Sequence, residues 1–110
     1  MVEIITDEKD WGAIVRVDIP GKEAIYFAGF DKKEEQRRAD IYRKLYDKCG
    51  SFDTLEVGNV PLKIACSGNP ALAAYMYAVQ RQPVQSIALH LKVSPSTVEQ
   101  YLSDIRRGRR

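Results

Sequence analysis

The sequence predicts an α+β fold: an N-terminal lobe of β-hairpin, helix and strand over residues 1–68, then a C-terminal three-helix helix-turn-helix over 69–110 with a basic tail. Three observations lead there. Apolar and β-branched residues alternate with period two after Trp11. The apolar period becomes helical after Ser67-Gly68-Asn69. Pro70, Pro83 and Pro95 then punctuate the chain at intervals of 13 and 12 residues. Each proline suits a first helical position, because the N–H it lacks has no intrahelical acceptor there, and it disfavours helix in the residue before it.

In the first lobe, Ala13, Val15, Val17 and Ile19 alternate with Ile14, Arg16 and Asp18, the pattern of a half-buried strand. Pro20-Gly21-Lys22 is a turn signal. Glu23 to Phe30 reads as a second strand centred on Ile25, Tyr26 and Phe27, and so short a loop makes the pair an antiparallel hairpin. Trp11, Tyr26 and Phe30 are expected to fill this lobe's core, the alternative being a dimer contact. Asp31 can cap a helix running to about Lys48, with Glu34 at the third position as in a capping box. Ala39, Tyr42, Leu45, Tyr46 and Cys49 form its apolar stripe, Asp40 and Lys44 are spaced for an i,i+4 pair, and Gly50 can end it. Leu55, Val57, Val60, Leu62, Ile64 and Cys66 suggest one or two further strands, with Gly58-Asn59 as a turn.

Composition narrows the function classes. No apolar run approaches the ~20 residues that span a bilayer, and Met1 is followed by mixed acidic sequence unlike a secretory signal, so a cytoplasmic protein without membrane partners is expected. Cys49 and Cys66 lie at no metal-like spacing and read as small buried side chains. With His90 the sole histidine, a zinc site would lack a fourth ligand and a Ser-His-Asp or Cys-His arrangement has little support. There is no G-x-G-x-x-G, P-loop, H-E-x-x-H or G-x-S-x-G. Asp7, Glu8 and Asp10 are residue types a metal-dependent nuclease uses, but such a run near a terminus usually faces water. No enzyme and no cofactor is expected.

The net charge is +2, unevenly placed: residues 1–80 hold 11 Lys/Arg against 13 Asp/Glu, and residues 81–110 hold 6 against 2. A basic C-terminal end suggests a polyanionic partner there.

The three prolines open helices expected over about Pro70–Arg81, Pro83–Leu91 and Pro95–Arg107. The first offers Leu72, Ala73, Met76 and Val79. The second offers Val84, Ile87, Ala88 and Leu91, and the third Val98, Tyr101, Leu102 and Ile105 at i, i+3, i+4, i+7. Val93 can plug the space between the last two, and small Ala88 lets them cross closely.

Residues 85–107, reading QSIALHLKVSPSTVEQYLSDIRR, resemble the C-terminal helix-turn-helix of LuxR-type regulators and of sigma factor region four. The shared features are Ile87-Ala88, Leu91-Lys92-Val93-Ser94 through the turn, and Thr97-Val98 with Tyr101-Leu102 and Ile105. The resemblance covers about residues 70–107. Lys92 departs from it, standing where such motifs often carry glycine at a left-handed position.

The resemblance implies that Glu99, Gln100 and Ser103 occupy base-reading positions, with Ser96 at the same end of the helix. Gln100 suits adenine N6/N7 and Glu99 cytosine N4; the other reading of Glu99 is a carboxylate stabilising the helix start. Ser94 reads as a helix cap. Thr97, and Ser96 again, can hold phosphate through hydroxyls. Gln82, Gln85, Ser86, Lys92, Arg106, Arg107, Arg109 and Arg110 are candidate backbone contacts. These features point to a sequence-specific, repressor-like transcriptional regulator that binds double-stranded DNA as a homodimer. The alternatives are a protein-interaction adaptor of the transcription machinery and the targeting subunit of a nucleic-acid enzyme.

Overall fold

The computed structural model describes residues 3–19, 21, 24–49, 64 and 68–108, with only the backbone of Cys49. Strands β1 (Glu3–Lys9), β2 (Gly12–Asp18) and β3 (Ile25–Gly29) form an antiparallel sheet in the order β1-β2-β3. Helices α1 (Lys32–Cys49), α2 (Asn69–Ala78), α3 (Val84–Leu91) and α4 (Pro95–Arg106) follow. The fold is α+β, with α1 as the middle layer: one side packs on the sheet, another on α2 and α4.

The hairpin of β2 and β3 lies where alternation places it. Ala13, Val15, Val17 and Phe27 are buried beneath α1. β1 is an added strand, paired with β2 from Glu3↔Asp18 to Lys9↔Gly12. Its signal is weak because it is an edge strand whose acidic residues outnumber the half-buried Ile4 and Thr6.

The opposite face of the sheet is open to solvent. Ile5, Arg16 and Tyr26 make one cross-strand row, with Tyr26 62% exposed. Here the structure departs from the expected core. Period two sends Tyr26 away from α1 while Phe27 points in. Trp11 and Phe30, in the β1–β2 turn and just past β3, are exposed and meet edge to face with centroids 6.5 Å apart. The aromatic contacts of the core are Phe27–Tyr42, at 5.8 Å, and Tyr42–Tyr46.

Asp31 caps α1 as expected, accepting from the N–H groups of Lys33 and Glu34. The Glu34 carboxylate does not close a capping box but accepts from the Tyr77 hydroxyl. Asp40 pairs with Arg106 of α4 rather than with Lys44. Glu35 is fully buried: Arg38 lies 3.1 Å from its carboxylate and Arg81 2.5 Å. The same Arg81 guanidinium donates to the carbonyl of Ala28 in β3. A Cβ on Gly29 would lie 2.9 Å from the Glu35 carboxyl carbon, so the sheet reaches this close only through glycine.

The predicted stripe on α2 understates its burial. Ala71, Ala73 and Ala74 through Ala78 are all buried, as in a helix packed on every side. It also ends three residues before the expected Arg81. The Gln82 N–H returns to Met76 O, and Arg81 takes a left-handed turn at φ 56°, a position that favours glycine. That turn aims the guanidinium at Glu35.

Residues of both expected lobes, from Val15 to Ile105, share one continuous core. Of the strands expected over 55–66, only Ile64 is among the described residues; it is buried and helical, not extended. Gly50, Cys66 and the Gly58-Asn59 turn lie outside the described residues. No helix among the described residues is long and apolar enough to cross a membrane.

Two substitutions probe these constraints by chemical denaturation. A Cβ on Gly12 would sit 2.1 Å from Gly29 O, so Gly12→Ala should cost about 2 kcal/mol or more, beyond the usual range for a surface turn. Glu35→Gln should cost about 2–3 kcal/mol, the lower side of removing one partner from a buried pair, because Arg81 is 43% exposed and recovers water.

Candidate nucleic-acid interface

The site is built on α3, the three residues 92–94 and α4. Ala88 O accepts from the N–H groups of both Lys92 and Val93, which closes α3. Lys92 adopts φ 59°, ψ 43°, the left-handed conformation that a lysine enters at a cost of about 1 kcal/mol. Ser94 then caps α4: its Oγ accepts from the Thr97 N–H at 3.2 Å and shares hydrogen bonds with the Ser96 and Thr97 hydroxyls. Val98, Leu102 and Ile105 are buried beneath it, as are Ile87 and Ala88 of α3.

The polar side of α4 divides into two strips. Glu99 and Arg106 lie on the strip beside α1. Arg37 donates to Glu99 Oε2 at 2.7 Å, and Arg106 Nε donates to Asp40 Oδ2 at 2.8 Å. Both residues were expected to face an external partner, and both have a partner inside the chain. The second strip holds Ser96, Gln100, Ser103 and Arg107, all exposed except half-buried Ser103. Gln100 donates one amide proton to Asp104 Oδ1 at 2.9 Å; among the described residues its Oε1 and second N–H have no hydrogen bond.

The remaining candidates spread around this strip. Gln85 is exposed at the start of α3, and Ser86 donates to Gln82 Oε1. Lys92 and Arg107 are exposed and have no ion pair among the described residues. Thr97 is half-buried against the cap. Arg109 and Arg110 lie outside the described residues. On β1 the acidic run is dispersed, with Asp7 paired to Lys9 and Glu8 to Lys32 of α1.

Sequence reasoning missed a cleft of about 470 Å³ between α1 and the starts of α3 and α4. Arg37 and Arg38 of α1 lie over the Tyr77 ring at 5.2 and 5.0 Å from its centroid, distances typical of cation–π contact. Burial, reinforced by the hydrogen bond to Glu34, holds the Tyr77 phenol well above its ordinary pKa. Burial works against the charge on Arg37, but the Glu99 bond and the nearby Tyr77 and Glu34 outweigh it and raise its pKa. The only sequence signal was the run of paired charges at the start of α1, which alone reads as a solvated helix face.

No protein-family model matches the chain, and no curated protein or solved structure matches it significantly. The functional reading therefore rests on these residues.

Lys92→Gly should raise stability by about 1 kcal/mol, since glycine takes the left-handed turn without strain. A shift of the denaturant midpoint upward with an unchanged slope would show it; a downward shift would mean the lysine stem contributes more than its backbone costs.

Proposed function

We infer that the chain is a sequence-specific DNA-binding regulator, repressor-like and homodimeric, in which α3 and α4 act as a helix-turn-helix and α4 enters the major groove. The observation that carries this reading is the junction at Lys92. A left-handed residue and a capping serine join two short helices over a shared apolar ridge and leave a polar strip of α4 outward. A recognition helix needs that arrangement, its N-terminal half facing base edges.

In this reading the base-reading set is Ser96, Gln100 and Ser103, which Glu99 leaves because it is paired with Arg37. Gln100 suits the role best: Asp104 fixes its amide while leaving one acceptor and one donor, the pair that matches adenine N6 and N7. Arg107 at the end of the strip and the exposed Lys92 and Gln85 suit phosphates, which position a protein without specifying sequence. Arg109 and Arg110 extend the basic end of the chain. Arg106 contributes less, because Asp40 already neutralises it.

A homodimer would double a short reading head, and the open sheet face offers it apolar area through Ile5 and Tyr26. The exposed Trp11–Phe30 pair favours a second reading, a protein-interaction adaptor, since aromatics are enriched where partners dock. Selection of bound duplexes from a random pool, followed by a salt series, separates the two. The regulator retains a defined, symmetric sequence and loses affinity steeply with salt; an adaptor retains no duplex even at low salt.

With the selected duplex, Gln100→Ala should cost about 1–3 kcal/mol and relax preference at one base pair. Arg107→Ala should weaken all duplexes alike and reduce the slope of log K against log salt by about one. Equal losses on every duplex for Gln100→Ala would refute its role.

A further inference from the structure

We propose that the cleft between α1 and the starts of α3 and α4 is a seat for a backbone phosphate of the bound duplex, with Arg37 as its cation, and that Glu99 is the anion that fills it in the free protein. This rests on the reading of α4 as a DNA-binding helix.

Four observations meet here. Arg37 is half-buried, with 23% side-chain exposure, stacked on Tyr77 and bound to Glu99. A guanidinium held in this way cannot easily lose its anion, since a desolvated cation without a partner is costly. Glu99, by contrast, is 49% exposed on the rim of the cleft, so its carboxylate regains water when displaced. The cleft is also bordered by Pro83, the N-cap of α3, and by its first residues, Val84 and Gln85. Pro83 provides no side-chain cap for that helix, and its first-turn N–H groups favour an anion. Finally, Glu99 belongs to the helix whose outward strip holds Gln100 and Ser96, so a strand passing that strip brings phosphates to the cleft.

Base reading by Glu99 fits these facts poorly. To reach a cytosine, its carboxylate must leave Arg37, and the guanidinium then keeps only Glu34 nearby, which Tyr77 and Arg38 already engage. A phosphodiester supplies an anion with the geometry arginine pairs with best. Once it does, Glu99 adds only like-charge repulsion unless it turns to solvent. The carboxylate is thus a removable internal stand-in for phosphate, and its release is a fixed cost on every duplex.

The test is a double-substitution cycle on the full chain, with Glu99→Gln, Arg37→Gln and the pair measured on a selected duplex and a random duplex of equal length. Circular dichroism and melting confirm that each variant is folded, and Arg37→Lys, which keeps the charge, is the milder substitute. Glu99→Gln should tighten both duplexes by about two- to five-fold, the equivalent of one exposed ion pair. Arg37→Gln should weaken both and lower the salt slope by about one unit. In the Arg37→Gln background, Glu99→Gln should tighten binding clearly less than in the wild type, because no Arg37–Glu99 pair remains to be broken.

Equal tightening with and without Arg37 would mean general charge repulsion and overturn the proposal. A change of preference at one base pair on Glu99→Gln would make it a base reader and overturn it too. Either result leaves DNA binding itself intact, whereas failure of both the wild type and Glu99→Gln to bind any duplex would remove the regulator reading along with the seat. A second arm follows the Arg37 Nε–Hε resonance on adding duplex or inorganic phosphate at matched ionic strength. A shift with duplex alone supports the backbone assignment; an equal shift with inorganic phosphate makes a free anion the ligand and overturns it.

Discussion

Glu35 has no access to solvent, and its carboxylate is where three parts of the chain are tied together. Arg38 reaches it from the next turn of α1 and Arg81 from the segment after α2. Arg81 at the same time donates to the edge of β3 at Ala28. A buried carboxylate is tolerated only where its charge and lone pairs are met, so these partners must come together whenever the chain folds. Gly29 gives the room, and the left-handed turn at Arg81 gives the direction. The strain of that turn, about 1 kcal/mol, is offset by an ion pair that breaks at greater cost.

The placement of the last two helices follows. After the turn at Arg81, α3 starts across the cleft from α1 and α4 packs against α1. One edge of α4 is then committed to α1 through Glu99–Arg37 and Arg106–Asp40. What remains outward is a narrower strip than the helix alone would offer, and its electrostatic character changes. With Glu99 neutralised by Arg37, the strip presents the neutral side chains of Ser96, Gln100 and Ser103 and the charge of Arg107. It is less negative than the full polar side would be with a free carboxylate.

The open side of the sheet has the opposite character. Glu3, Asp7 and Asp18 share it with Lys9 and Arg16, which pair with Asp7 and Asp18 and leave Glu3 as the excess charge. Ile5 and Tyr26 add apolar surface among these charges. The sheet face is thus slightly acidic and partly apolar, whereas the exposed cations Lys92 and Arg107 lie in the helical part of the chain. The charge asymmetry along the sequence becomes an asymmetry in space.

The sequence by itself determined what neighbouring residues decide. Alternation at Ala13, Val15 and Val17 set which side of β2 is buried. Asp31 and Ser94 set the starts of α1 and α4, because a cap acts on N–H groups two or three residues away. Prolines at 70, 83 and 95 set where each late helix can begin. The tertiary structure decided the rest, for reasons of distance. The partners of Glu99 and Arg106 lie 62 and 66 positions away, beyond the reach of any local pattern. The all-round burial of α2, the exposure of Trp11 and Phe30, and the early stop at Ala78 likewise depend on what the fold brings alongside. Backbone geometry is written by adjacent residues, whereas which charges meet across the core is settled only once the layers have packed.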